Sequence, residues 1–146
     1  MYPYYYHHSM PNRQQEKLIR DLEKAINGEY NAISCYGKLA GMAPTEEEKN
    51  RIREIRQDER RHFQQFTQIY SRLTGRQPQP KIIETCPNKY KNGLEFAIQD
   101  EQKTVDFYLE IAEEAQDPFI KEVFRRAAAD EQNHAVWFLY YFTKAR

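Results

Sequence analysis

The second half of this chain repeats the first at an offset of 72 residues, polar positions included. Glu29 maps onto Glu101, and Glu59-x-x-His62 maps onto Glu131-x-x-His134. The same offset takes Asp58 to Asp130 and Tyr36 to Tyr108. A duplication that keeps its acids and histidines in step calls for two like halves, each bringing part of one shared centre.

The spacing within each half is helical. Leu22, Ile26, Glu29, Ile33, Tyr36 and Ala40 follow steps of four and three, and Leu94, Ile98, Glu101, Val105, Tyr108 and Ala112 repeat them. Ile52, Ile55, Glu59, His62, Phe66 and Ile69 form a second kind of series, repeated as Phe124, Ala127, Glu131, His134, Phe138 and Tyr141. Such steps keep side chains on one face, so each series reads as the inward seam of a bundle helix. Every candidate ligand (Glu29, Glu59, His62, Glu101, Glu131 and His134) lies in that apolar seam, where a charge needs a partner.

Capping signals divide the chain. Asn12 with Gln15 starts a first helix that runs to about Ala40 and stops at Gly41. Thr45 with Glu48 starts a second, ended by Gly75 after Thr74. A third covers about 89–115, and Asp117-Pro118 supplies an N-cap and first-turn proline for a fourth reaching almost to the C-terminus. Short loops make the first and last pairs antiparallel hairpins. Residues 75–91 contain Pro78, Pro80 and Pro87 and read as a connector. Seventeen extended residues reach roughly 56 Å, enough to run the length of a helix of about 42 Å. The expectation is an all-α four-helix bundle over 12–146, with two antiparallel hairpins joined by a long crossover. Residues 1–11, rich in Tyr, His and Pro, read as a flexible tail, with His7 and His8 too loosely placed for a specific site.

Composition narrows the function. Basic and acidic residues balance at 22 each, which gives no electrostatic reason to expect nucleic acid. Arg53, Arg56, Arg60 and Arg61 alternate with Glu54 and Asp58 and read as a solvated helix face. No apolar run suits a membrane span of about 20 residues, and the N-terminus lacks the basic and apolar regions of a signal peptide. Cys35 and Cys86 could pair, but their spacing is neither a secreted framework nor a thiolate metal motif. A reducing cytoplasm is the expected setting.

Four carboxylates (Glu29, Glu59, Glu101, Glu131) and two imidazoles (His62, His134) make a ligand set suited to two metal ions. Sixteen glutamates in 146 residues put a Glu three positions before any given histidine with odds of roughly one in ten. Two occurrences at the repeat offset, with two further seam glutamates at that offset, make accident a poor explanation. Residues three apart share a helix face, so Glu and His of each pair can reach one ion. Four carboxylates balance two divalent ions, whereas four unpaired buried carboxylates would be very costly. Mixed carboxylate and imidazole donors suit iron best, with manganese or a mixed Fe/Mn pair as alternatives.

The set Glu29, Glu59-x-x-His62, Glu101, Glu131-x-x-His134 resembles the di-iron site of the ferritin-like superfamily, nearest to the rubrerythrin-type helical domain. The resemblance covers about residues 13–145. It implies that Glu59 and Glu131 bridge the metals, with Glu29 and His62 completing one and Glu101 and His134 the other. It further implies cross-bundle support of His134 by Asp58 and of His62 by Asp130. Tyr36 and Tyr108, seven residues after the lone glutamates, hydrogen-bond ligand carboxylates, shuttle electrons or serve as core packing with a satisfied hydroxyl. Rubrerythrins typically carry another glutamate three residues after the third-helix ligand, which exchanges with a histidine as the metals change oxidation state. Thr104 and its repeat mate Ala32 stand there instead, which can leave a coordination position open. No rubredoxin-like cysteine motif is present.

The resemblance implies a non-haem di-iron oxidoreductase that oxidises Fe(II) or another donor with peroxide or dioxygen, an external electron donor and a homodimer. Two alternatives stay open: iron storage, less expected because no fifth helix follows, and a structural protein with a structural di-metal site. The Tyr-rich tail, similar to tails of some spore-coat proteins, keeps the latter in view.

Overall fold

The computed structural model describes residues 12–146; the expected tail at 1–11 lies outside them. Four helices make up the described chain: α1 Arg13–Met42, α2 Glu46–Thr74, α3 Tyr90–Glu114 and α4 Pro118–Lys144. Each begins or ends where local chemistry dictates. Asn12 accepts from the Gln15 amide, Thr45 from Glu48, and Asp117 from Phe119 and Ile120, with Pro118 in the first turn. Each cap satisfies amides that have no partner in the first helical turn. Gly75 closes α2 in the left-handed region at φ 71°, a conformation that costs glycine little. Gly41 does not end α1. The helix continues to Met42 and stops at extended Ala43, because no residue there takes the left-handed turn.

The chain packs as an α1–α2 hairpin and an α3–α4 hairpin, with lesser contact between α1 and α3 and between α2 and α4. The segment between α2 and α3 crosses the length of the bundle. It leaves the end where Leu18, Leu73 and Ala115 cluster and arrives where Tyr90 donates to Glu48 at 2.9 Å. At that arrival Gly93 lets α3 close on α1, since a Cβ there would stand 2.6 Å from Leu39 Cδ1.

Two apolar clusters fill the interior. One is built on Leu22, Phe66, Tyr108 and Phe124, with Phe66 and Phe124 stacked at 4.4 Å between centroids. The other is built on Tyr36, Leu39, Ile52, Leu94 and Phe138. Between them lies a layer of buried acids and histidines. The seams of α2 and α4 are buried throughout as expected. Those of α1 and α3 are shifted: Ile33, Ile98 and Val105 are only half-buried, while Ala25, Ala32 and Ala97 turn fully inward. Small residues there let the helices approach the polar layer closely.

Candidate metal centre

Each helix contributes to the polar layer from its middle: Glu29 from α1, Glu59 and His62 from α2, Glu101 from α3, Glu131 and His134 from α4. All six are at most 2% exposed. Their ligand atoms form two groups, Glu29–Glu59–His62–Glu131 and Glu59–Glu101–Glu131–His134, each lying within 4.8 Å of one another. Glu59 and Glu131 belong to both groups. The ring centroids of His62 and His134 are 6.4 Å apart, one in each group.

One atom of every residue in this set is buried without a hydrogen-bond partner: Glu29 Oε2, Glu59 Oε1, His62 Nδ1, Glu101 Oε2, Glu131 Oε1 and His134 Nδ1. Buried polar atoms are ordinarily satisfied, since leaving one bare costs about 1–3 kcal/mol. Six bare donor atoms converging on two points are what two cations would satisfy. The chemistry of the set, oxygen with imidazole nitrogen, fits iron or manganese.

The outer atoms of the same side chains are held. His62 Nε2 is 2.8 Å from Asp130 Oδ2, and His134 Nε2 is 2.8 Å from Asp58 Oδ2. Donation from Nε2 to an aspartate turns Nδ1 of each ring toward the carboxylates. Tyr36 donates to Glu101 and Tyr108 donates to Glu29, each phenol reaching from one hairpin to the other. Of the roles open to these tyrosines, hydrogen bonding to the acids is the geometry found.

The buried acids and histidines shift one another's titration. Burial, with Glu29 and Glu101 nearby, pushes Glu59 up to about 8. Burial and the surrounding carboxylates also raise Glu131. Burial alone would lower His62, but its hydrogen bond with Asp130 and the adjacent carboxylates of Glu29 and Glu59 carry it up to about 12; His134 reaches about 10 through Asp58 and Glu101. Glu59, Glu131 and both histidines thus hold their protons more tightly than free groups do, and bound cations would displace those protons. Burial would raise Asp130, but His62 and Arg126 bring it down to about 2, so it stays an anion beside its histidine. Burial and the charges of Glu101 and Glu29 keep both tyrosines protonated.

Three features escaped the sequence, those of Arg61, Arg56 and Asp100, and a pairing it left open for Cys35 and Cys86 is found. Arg61 is not merely solvated: it bridges Asp58 at 3.0 Å and Asp130 at 2.9 Å. Arg56 Nε donates to the Ile33 carbonyl at 2.7 Å, leaving Arg53 and Arg60 as the exposed members of that run. Cys35 and Cys86 are joined as a disulfide. Asp100 lines a cavity of about 310 Å³ whose floor includes Glu29, Glu59 and Glu131 and whose sides include Ala32 and Thr104. Burial and the charges of Glu101 and Glu84 push Asp100 up to about 7. Its repeat mate is Gly28, so the duplication gave no hint of it.

An all-α bundle of two hairpins around a buried carboxylate–histidine layer defines a ferritin-like protein. Residues 92–146 match the family model Rubrerythrin. The uncharacterised protein YhjR of Bacillus subtilis (strain 168) is 53% identical over 137 residues, 94% of each chain. A ferritin-like, diiron-carboxylate protein from Bacillus anthracis str. Ames superposes with a TM-score of 0.78 at 23% identity, over 90% of this chain and 99% of that one. A hypothetical protein from Pyrococcus furiosus gives a TM-score of 0.74 at 22% identity, over 86% and 88%. The chain belongs to the rubrerythrin family, as a ferritin-like four-helix bundle. Among the described residues, no helix is long and apolar enough to cross a membrane.

Proposed function

We propose that this chain is a non-haem di-iron oxidoreductase that oxidises Fe(II), or electrons from another donor, with peroxide or dioxygen. The observation that carries the reading is the set of six buried, unpartnered donor atoms. Glu29, Glu59, His62 and Glu131 would hold one ion, and Glu59, Glu101, Glu131 and His134 the other. When bound, a pair of iron ions supplies two electrons, the number needed to reduce one peroxide to two waters.

The chain's own residues perform the supporting steps. Asp58 and Asp130 orient the histidine rings and keep Nδ1 facing inward. Tyr36 and Tyr108 fix the outer oxygens of Glu101 and Glu29. The clusters around Phe66 and Phe138 exclude water on both sides of the layer. Access is left at Ala32 and Thr104, where the cavity meets the acids and a small oxidant can enter. Asp100, on that wall, can carry a proton inward from solvent.

Anaerobic mixing of the Fe(II)-loaded protein with peroxide tests the reading. A near-ultraviolet ferric charge-transfer band should rise with about one peroxide consumed per chain. Iron that stays ferrous would refute it. Thr104→Glu should narrow the entry and slow that phase; an unchanged rate would show that oxidant reaches the acids elsewhere.

A further inference from the structure

The crossover does more than connect the hairpins. Asn27, Asn31 and Cys35 are four residues apart and make one stripe along α1 beside Glu29 and Ala32. Each fastens the crossover. Asn27 Oδ1 accepts from the Lys81 amide at 2.8 Å. Asn31 Nδ2 donates to the Lys81 carbonyl at 2.8 Å, while its Oδ1 accepts from Ile83 at 2.9 Å and Glu84 at 3.2 Å. Cys35 is bonded to Cys86. One turn on, Lys38 Nζ reaches the Cys86 carbonyl at 3.2 Å.

Thus residues 81–86 are laid along α1 as a strap, and Ile83 and Glu84 become a wall of the cavity over Glu29, Glu59 and Glu131. Ile83 is 72% exposed, so apolar burial does little to hold this wall. The fastening is three amides and one carbonyl held by asparagines, the Lys38 contact to the Cys86 carbonyl, and one covalent bond.

We infer that Cys35–Cys86 is a reversible redox latch: as a disulfide it pins the strap against the cavity, and reduction by a dithiol frees the strap and widens access to the acids. The two sulfurs are unequally placed. Cys35 is 5% exposed, whereas Cys86 is half-buried on the strap. An incoming thiolate therefore attacks Cys86 Sγ; the S–S bond breaks, and the electron pair leaves on Cys35 Sγ, which takes a proton. The second thiol of the external dithiol displaces Cys86 from the mixed disulfide, leaving an oxidised external pair and two cysteine thiols. Closure takes a different route with peroxide as oxidant: the two thiols join as the disulfide, and their two electrons and two protons reduce one peroxide to two waters. The latch itself needs no metal; its bearing on metal entry rests on the function proposed above.

The test begins with metal-free full-length protein, oxidised or reduced with a phosphine that is then removed. Hydrogen exchange at the Lys81, Ile83 and Glu84 amides should be at least ten-fold faster in the reduced form, with helix-centre amides unchanged. Cys86→Ser should exchange like the reduced form and ignore reductant. Uptake of cobalt(II), read by its visible absorption, should be at least ten-fold faster without the disulfide. Equal strap exchange in both forms, a disulfide that resists reduction without denaturant, or a loosened strap with unchanged cobalt uptake would each overturn the latch. A chain taking up no cobalt in either form would refute the metal reading instead, and the exchange result would still judge the latch.

Discussion

The two hairpins match at the polar layer and differ on the helix stripe beside it. At the layer, Tyr108 donates to Glu29 while Tyr36 donates to Glu101, and Asp130 faces His62 as Asp58 faces His134. Every contact has a mate because each hairpin supplies half of one centre. Away from the layer, the stripe Asn27, Asn31, Cys35 on α1 corresponds to Gln99, Lys103 and Phe107 on α3. Only α1 carries the crossover, so only α1 needs residues that bind an extended backbone. Arg61 is likewise single, since its mate is Asn133, yet it serves both aspartates. The repeat is thus kept where two halves share one task and lost where the fold has a single connection.

Breaking the symmetric part should give paired losses. Glu59→Ala and Glu131→Ala should each lower iron below two per chain, to a similar degree, in metal analysis after anaerobic loading. Full stoichiometry in either variant would show that the two acids are not equivalent bridges.

A second effect is common to both halves. In the folded metal-free chain Glu59 titrates at about 8 against an ordinary 4.5, and His62 and His134 at about 12 and about 10 against 6.5. The folded state therefore holds more protons than the unfolded one across this range, and its stability falls as pH rises. Metal binding displaces those protons. The gain in Tm on adding metal should widen from pH 6 to pH 8, and a constant or shrinking gain would contradict the charge account.

The supporting aspartates should separate modestly. Loss of such a partner ordinarily weakens metal binding by about 10–100-fold. Asp130→Asn should lie toward the larger value, because Asp130 is more buried than Asp58 and also holds Arg126 at 3.1 Å. Competition titration against a chelator would measure the difference, and a larger loss from Asp58→Asn would reverse the ranking.

The smallest contrast lies in the unsymmetrical region. Asn31→Ala removes a side chain that satisfies three crossover groups and should cost about 1–3 kcal/mol in denaturant unfolding. Its mate variant, Lys103→Ala on an exposed face, should stay within about 0.5 kcal/mol of the parent. Equal effects would mean that the strap contributes nothing to stability.

These regions also explain what the sequence could reveal. Glu29, Glu59, His62 and their mates were legible because acids at inward helical positions contradict their neighbours, and the repeat showed the contradiction twice. The crossover's length and the caps at Asn12, Thr45 and Asp117 were legible for local reasons. Asn31 was not, since an asparagine beside the seam looks the same whether it meets water or a distant strap. Ile33 and Ile98 read as core because apolar type alone cannot show a seam rotated toward Ala32 and Ala97. Arg61 was hidden by its charged neighbours, and its two partners come from different helices.

The central claim is that one chain brings six donor atoms together for two ions. Anaerobic Fe(II) loading, removal of unbound metal and elemental analysis test it most directly. The account predicts two irons per chain, falling below two in Glu59→Ala; one iron or none in the parent protein would contradict it.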